Sequence, residues 1–305
     1  MKPSTAVIWL SIAIAMLGAG AGGAGLFWET ARAPYTFTVL HGDAVDIYGG
    51  GIYADDSVFK SGATRGGDVT TLFLAVPILV ISLWFYRRGS VRGALLLTGT
   101  LTHFLYVYAT MTVGVAYNSL FLLYVAIFGC SFYAWFLMVM AIQPLATRFP
   151  SELPYRRIGV FLIACGLLTS FVWLEPIISS SLRGLPPALL GHSTTVVTEA
   201  LDLATIVPAC FVAGLLLFRR DRRGLTFATP VLALLFFIGP SIVAMTVFQL
   251  ADGITFTVPE IVGPIGGFLV LGVINLWVLA ILLRAAPEQT SAEQVQTRWA
   301  IDNLA

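Results

Sequence analysis

Residues 69–88 read VTTLFLAVPILVISLWFYRR. The run carries no charge from Val69 to Tyr86 and is bounded by Asp68 on one side and by Arg87 and Arg88 on the other. A stretch of about 20 apolar residues is the length that crosses a ~30 Å hydrocarbon core as a helix. In lipid every backbone polar group needs an internal partner, and a helix supplies one to each. A barrel strand would show an alternating segment of about ten residues, whereas this run is continuous. The spacing predicts a membrane-spanning helix.

Working outward, seven more blocks of the same kind appear, so that spans are expected at about 6–28, 69–86, 93–115, 119–142, 158–179, 196–218, 225–249 and 258–284. The whole composition agrees. Of 305 residues, 58% are hydrophobic and 11% charged, with a mean hydropathy of +0.89, outside the range of soluble globular domains. The expected class is all-α: a polytopic membrane protein of about eight helices, with the lipid bilayer as its partner. Nucleic acid is not an expected partner, and the oligomeric state stays open.

Arginines gather in alternate connectors: Arg87, Arg88 and Arg92, then Arg148, Arg156 and Arg157, then Arg219, Arg220, Arg222 and Arg223. Lys2, Arg284 and Arg298 lie toward the ends, while only Arg32, Lys60, Arg65 and Arg183 fall on the other side. The positive-inside rule then puts both termini in the cytoplasm of a cell-membrane protein. The first block also has the look of a secretory signal, since Lys2 precedes an apolar run ending in GAGAGGAG. Its length and its counterpart later in the chain favour a retained helix. Gly18 and Gly22 have the spacing that lets helices approach closely.

The chain divides into two similar halves. Asp68 lies nine residues before Pro77 of a Val-Pro pair, and Glu199 nine before Pro208 of another. At the same offset Arg88 meets Arg219, Arg92 meets Arg223 and Gly93 meets Gly224. Glu29 matches Glu175, and Asn118 matches Glu260, which sets Trp135 on Trp277. The expected organisation is a first four-helix half over 1–148 with an external loop at about 29–67, a second half over 149–285, and a cytoplasmic tail over 286–305. An even number of spans per half makes the repeat parallel, about an axis along the membrane normal. The tail segment SAEQVQTRWAIDNLA reads as either an amphipathic surface helix or a disordered stretch.

Ionisable groups within spans are costly and point to function. Glu29, Asp68, Glu175, Glu199, Asp202 and Glu260 all map to the outer ends of helices. Thr100, His103, Tyr106 and Thr110 recur at helical spacing and share one face, with Tyr117 and Asn118 at its outer end. The picture is an outward-facing polar cavity, with Asp68, His103, Tyr106, Asn118, Glu199, Asp202 and Glu260 as candidate ligand-binding residues. The bland reading is that some of these carboxylates are solvated at the headgroup level or stabilise helix N-termini, above all Glu29 and Glu175.

Other chemistries lack their signatures. No zinc-protease, nucleophile-elbow, P-loop or dinucleotide motif occurs, and no catalytic residue, metal ligand or cofactor is assigned. His103 is the single histidine in a span, so a bis-histidine haem is not expected. YGGGIY, residues 48–53, reads as a turn. The nearby Asp43, Asp46, Asp55 and Asp56 offer oxygen ligands without the spacing of an EF-hand. Cys130, Cys165 and Cys210 lie in spans and read as packing residues.

The segments GGDVTTLFLAVP, RRGSVRG and YNSLFLLYVAIFG together resemble a pattern found in bacterial multi-pass membrane proteins of unassigned activity. The resemblance covers the first half well and the second only through the repeat. It implies the membrane class and marks Asp68, Arg88, Arg92, Asn118 and Tyr124 as pattern positions.

Three functional classes follow. The first is binding, transport or sensing of a small or amphipathic ligand between the two halves. The second is a membrane-embedded enzyme acting on lipid-linked substrates, with His103 as general base beside an outer carboxylate. The third is a non-catalytic assembly or sensor subunit that uses the small-residue face of the first helix as its contact.

Overall fold

The computed structural model describes residues 1–30, 32–39, 41–187 and 190–287, apart from the side chains of Glu260 and Pro264. The tail segment discussed above lies outside the described residues. Among the described residues eight helices are long and apolar enough to cross a membrane: α1 Thr5–Phe27, α2 Val58–Arg87, α3 Val91–Gly114, α4 Phe121–Arg148, α5 Tyr155–Arg183, α6 Val197–Phe218, α7 Gly224–Ala251 and α8 Ile261–Arg284. Their outward faces carry large apolar side chains such as Phe73, Leu122, Phe171 and Val273. A soluble monomer rarely exposes so extensive an apolar surface. The chain is an integral, multi-pass membrane protein.

Between α1 and α2 lies a small antiparallel hairpin of β1 Tyr35–Thr38 and β2 Ala44–Ile47, with Tyr35 opposite Ile47 and Thr38 opposite Ala44. The face of the bundle that carries it is called the hairpin side, and the opposite face, with the arginine connectors, the arginine side. YGGGIY is indeed a turn: Gly49 and Gly51 adopt φ of 77° and 60°. A side chain at Gly51 would also meet the Trp28 carbonyl oxygen at 2.7 Å. The four loop aspartates are not gathered. Asp46 accepts from Thr36 and Asp55 pairs with Arg32 at 2.9 Å, while Asp56 turns inward. Among the described residues no group of three or more His, Cys, Asp or Glu is placed to hold a metal ion.

Helix α2 departs from expectation by starting at Val58 and not near residue 69. Hydropathy reports contact with lipid, and the first three turns of α2 contact protein instead. Gly62 and Gly66 sit against the backbone of α7, where a side chain at Gly62 would meet the Gln249 nitrogen at 3.1 Å. Ser57 caps the helix by accepting from the Lys60 N–H. Arg65 pairs with Asp252 at the end of α7 and lies over the rings of Tyr48 and Phe248. Close small-residue contact and a neutralised arginine hold a polar segment that hydropathy reads as loop.

α1 is packed into the bundle. A side chain at Gly18 would meet Phe104 at 2.8 Å, and Gly22 faces Leu72 and the Asp68 carbonyl. The small-residue face expected as a contact for another protein is therefore occupied within the chain, and loss of α1 would uncover Phe104 and Asp68.

Pro77 and Pro208 each remove one backbone donor from a helix interior. Both helices respond with a widened π-helical turn just before the proline: Thr71–Ala75 in α2 and Asp202–Ile206 in α6. In these turns the Val76 N–H donates to the Thr71 carbonyl and the Val207 N–H to the Asp202 carbonyl. A third such turn, Ile261–Ile265, opens α8 and contains Pro264. Such turns recur at functional sites because they redirect side chains locally. Here one begins at Asp202 itself and another one turn beyond Asp68.

Candidate functional site

Helix α3 divides the polar residues of the hairpin side into two groups. Tyr106 and Tyr108 are two residues apart, so their side chains leave the helix about 200° apart. Tyr108 turns toward Tyr124 of α4, their ring centroids 6.2 Å apart. Tyr106 turns toward α6, where its hydroxyl donates to Asp202 Oδ1 at 2.7 Å. The polar residues of the hairpin side thus gather in two carboxylate–tyrosine nests with α3 between them.

In the first nest, Tyr53 donates to Asp68 Oδ2 at 2.6 Å. Both are buried, and so are Tyr108 and Tyr124. The nest has room only because residue 25 of α1 is glycine: a side chain there would meet the Tyr53 hydroxyl at 2.8 Å and the Asp68 carboxylate more closely still. Burial, followed by the charge of Asp68, holds the Tyr53 phenol well above its usual range. Tyr53 is therefore a neutral donor across the physiological range.

In the second nest both oxygens of Asp202 are engaged, since Trp173 of α5 donates its Nε1–H to Oδ2 at 2.8 Å. Three helices thus converge on one carboxylate. Glu199 lies one turn toward the hairpin side and is buried, and among the described residues no other side chain donates a hydrogen bond to it. Lys60 stands within electrostatic reach of Glu199 and donates to Ser193 Oγ at 3.0 Å.

Above both nests sits Asp56, which is fully buried. Its Oδ1 accepts from the Ala116 N–H at 3.1 Å and lies 3.4 Å from His192 Nε2 and 3.9 Å from Lys60 Nζ. Its Oδ2 has no hydrogen-bond partner. One carboxylate thereby ties the first loop to the α3–α4 turn and to the loop between α5 and α6. Nearby, burial pushes the Asp252 carboxyl up, and the Arg65 guanidinium partly offsets this.

Of the remaining candidates, Asn118 borders the first nest, its side chain toward the Tyr124 hydroxyl. His103 is buried among rings, 4.4 Å from the Phe237 centroid and 5.8 Å from that of Phe104, and its Nε2 has no partner. Among the described residues no carboxylate hydrogen-bonds to or pairs with the imidazole, contrary to the expectation of the enzyme reading. Thr100 and Thr110 donate to carbonyls of their own helix. Asn118 shapes the α3–α4 turn by accepting from the Leu120 N–H at 2.9 Å. Glu260 belongs to a short helical turn, Val258–Glu260, and its side chain lies outside the described residues. Glu29 and Glu175 are exposed.

Tyr53, Tyr108 and Trp173 escaped the sequence reading as site residues because aromatics abound in any membrane span. A usable signal did exist in the Tyr106–Tyr108 pair, which marks two polar faces on one helix. Cys165 and Cys210 are buried and free, in keeping with packing roles. Comparison with known protein families, curated proteins and solved structures finds no match.

Proposed function

We propose that this membrane protein binds, and moves or senses, a small or amphipathic ligand at the hairpin-side site formed by Glu199, Asp202, Tyr106, Trp173 and Lys60. The observation that carries the reading is Glu199. It is a buried carboxylate to which, among the described residues, no other side chain donates, one turn from a second carboxylate held by a tyrosine and a tryptophan. Carboxylates taken out of water persist where a partner compensates them. Asp56, Glu199 and Asp202 stand against one Lys60, so the charge favours a cationic ligand, and the half-buried Trp173 offers it a ring face.

The reading extends to organisation. The hairpin side faces outward and the termini lie in the cytoplasm of a cell-membrane protein, which the arginine connectors favour. The chain is built of two parallel four-helix halves. In support, the π-helical turns start at Thr71 and Asp202, both just ahead of a Val-Pro pair. Thr98 and Thr229 stand at the same offset, and both donate to the carbonyl four residues back. Ligand sites of membrane proteins commonly sit at such repeat interfaces beside interrupted helices, and Tyr106 of the first half reaches Asp202 of the second.

The test is mass spectrometry of small molecules and lipids that co-purify in mild detergent, comparing the wild type with a Glu199→Gln, Asp202→Asn double variant. A cationic species retained by the wild type and lost from the variant is the expected result. Identical profiles from two well-folded proteins refute the site.

A further inference from the structure

The Asp68 nest holds more unmatched oxygen than a structural carboxylate needs. Asp68 is 4% exposed, and Tyr53 is its one donor among the described residues. The cation within electrostatic reach is Arg65, whose guanidinium is already paired with Asp252. One turn along the same face of α2, at the start of the π-helical turn, Thr71 is buried and its hydroxyl oxygen has no partner. Tyr124, from the facing helix α4, is 1% exposed. Among the described residues its hydroxyl makes no hydrogen bond of ordinary geometry, although it lies toward Tyr53 and Asn118 and within electrostatic reach of Asp68. Gly25 completes the wall, the place of its missing side chain being taken by the Asp68 carboxylate and the Tyr53 hydroxyl.

We propose that Asp68, Tyr53, Thr71 and Tyr124 form a binding site for a single monovalent metal cation, separate from the ligand site across α3. One carboxylate and several neutral oxygens match a charge of +1. Calcium sites ordinarily use more carboxylates, and magnesium demands a near-ideal octahedral shell that retains water. A proton on Asp68 removes the charge but leaves the Thr71 and Tyr124 oxygens unmatched, and buried oxygens left so are costly. A metal cation draws on lone pairs of all four residues at once. Asp56, buried toward the hairpin side with one oxygen that has no partner among the described residues, stands within electrostatic reach of Tyr124.

The experiment is thermal unfolding of the purified protein in detergent, followed by tryptophan fluorescence, in sodium, potassium or choline chloride at equal ionic strength. At ten times its dissociation constant a bound ion multiplies the folded-to-unfolded ratio about 11-fold. The expected result is a higher midpoint in sodium or potassium than in choline, lost in Asp68→Asn. Tyr124→Phe guards against a variant that merely misfolds. Deleting a buried hydroxyl that makes no hydrogen bond of ordinary geometry leaves the protein as stable as the wild type, or more so, in choline, while the metal response falls. Equal midpoints of the wild type in all three salts overturn the proposal, and so does an undiminished response in both variants.

Discussion

Gly25→Ala tests the Asp68 nest with one methyl group. Built on α1, the added carbon meets the Tyr53 hydroxyl at 2.8 Å and the Asp68 Cγ at 2.6 Å, against the ~3.5–4.0 Å of an ordinary carbon contact. It can be accommodated only if Tyr53 and Asp68 part, which breaks their 2.6 Å hydrogen bond. Overpacking costs about 1–3 kcal/mol and a hydrogen bond to a charged group about 1.5–3. Because the two strains relieve one another, the expected loss is about 2–4 kcal/mol. Gly23→Ala is the control, since nothing lies within 4 Å of a side chain there. Helix propensity makes that change neutral or stabilising by about 0.5–1 kcal/mol. The assay is thermal unfolding of both variants in one detergent, read as the difference between them so that detergent effects cancel. Equal stability of Gly25→Ala and Gly23→Ala would refute the packing of α1 against Asp68.

A second glycine pair tests the α2–α7 contact. At Gly66 an added carbon meets the Ala244 carbonyl carbon at 2.6 Å, whereas at Gly67 it meets the flexible end of Met245 at 3.7 Å. Gly66→Ala is expected to unfold more readily than Gly67→Ala by about 1–3 kcal/mol, and equal midpoints would show that α2 and α7 are not in backbone contact. The Tyr53 phenol gives a pH prediction. Its folded value is raised by burial and by Asp68, so the folded state keeps a proton that the unfolded chain releases. The resulting stability is present below about pH 10, the ordinary phenol value, and is lost as pH rises beyond it. Stability should therefore decline less steeply at alkaline pH in Tyr53→Phe than in the wild type, and superimposable pH curves would contradict the burial of that hydroxyl.

The membrane class and the eight spans were legible in the residues because a bilayer imposes one length and one composition on each crossing. VTTLFLAVPILVISLWFYRR already implies a helix, its arginine-side end and its proline. The prolines also marked where α2 and α6 would be interrupted, since a missing N–H is a property of the residue itself. Asp202 with Tyr106 was legible as a pair of polar positions, although not as a hydrogen bond. What only the tertiary structure decided depends on neighbours. Helix α2 begins at Val58 because Gly62 and Gly66 meet α7 and Arg65 meets Asp252, and hydropathy, a one-body property, does not register a helix sheltered by another helix. Asp68 and Asp202 fall into separate nests because Tyr108 and Tyr106 leave α3 in nearly opposite directions, and which neighbour each meets is a matter of packing. His103 faces Phe237 and pairs with no carboxylate among the described residues for the same reason: its own helix sets the direction of a side chain, while the rest of the bundle sets what it finds there.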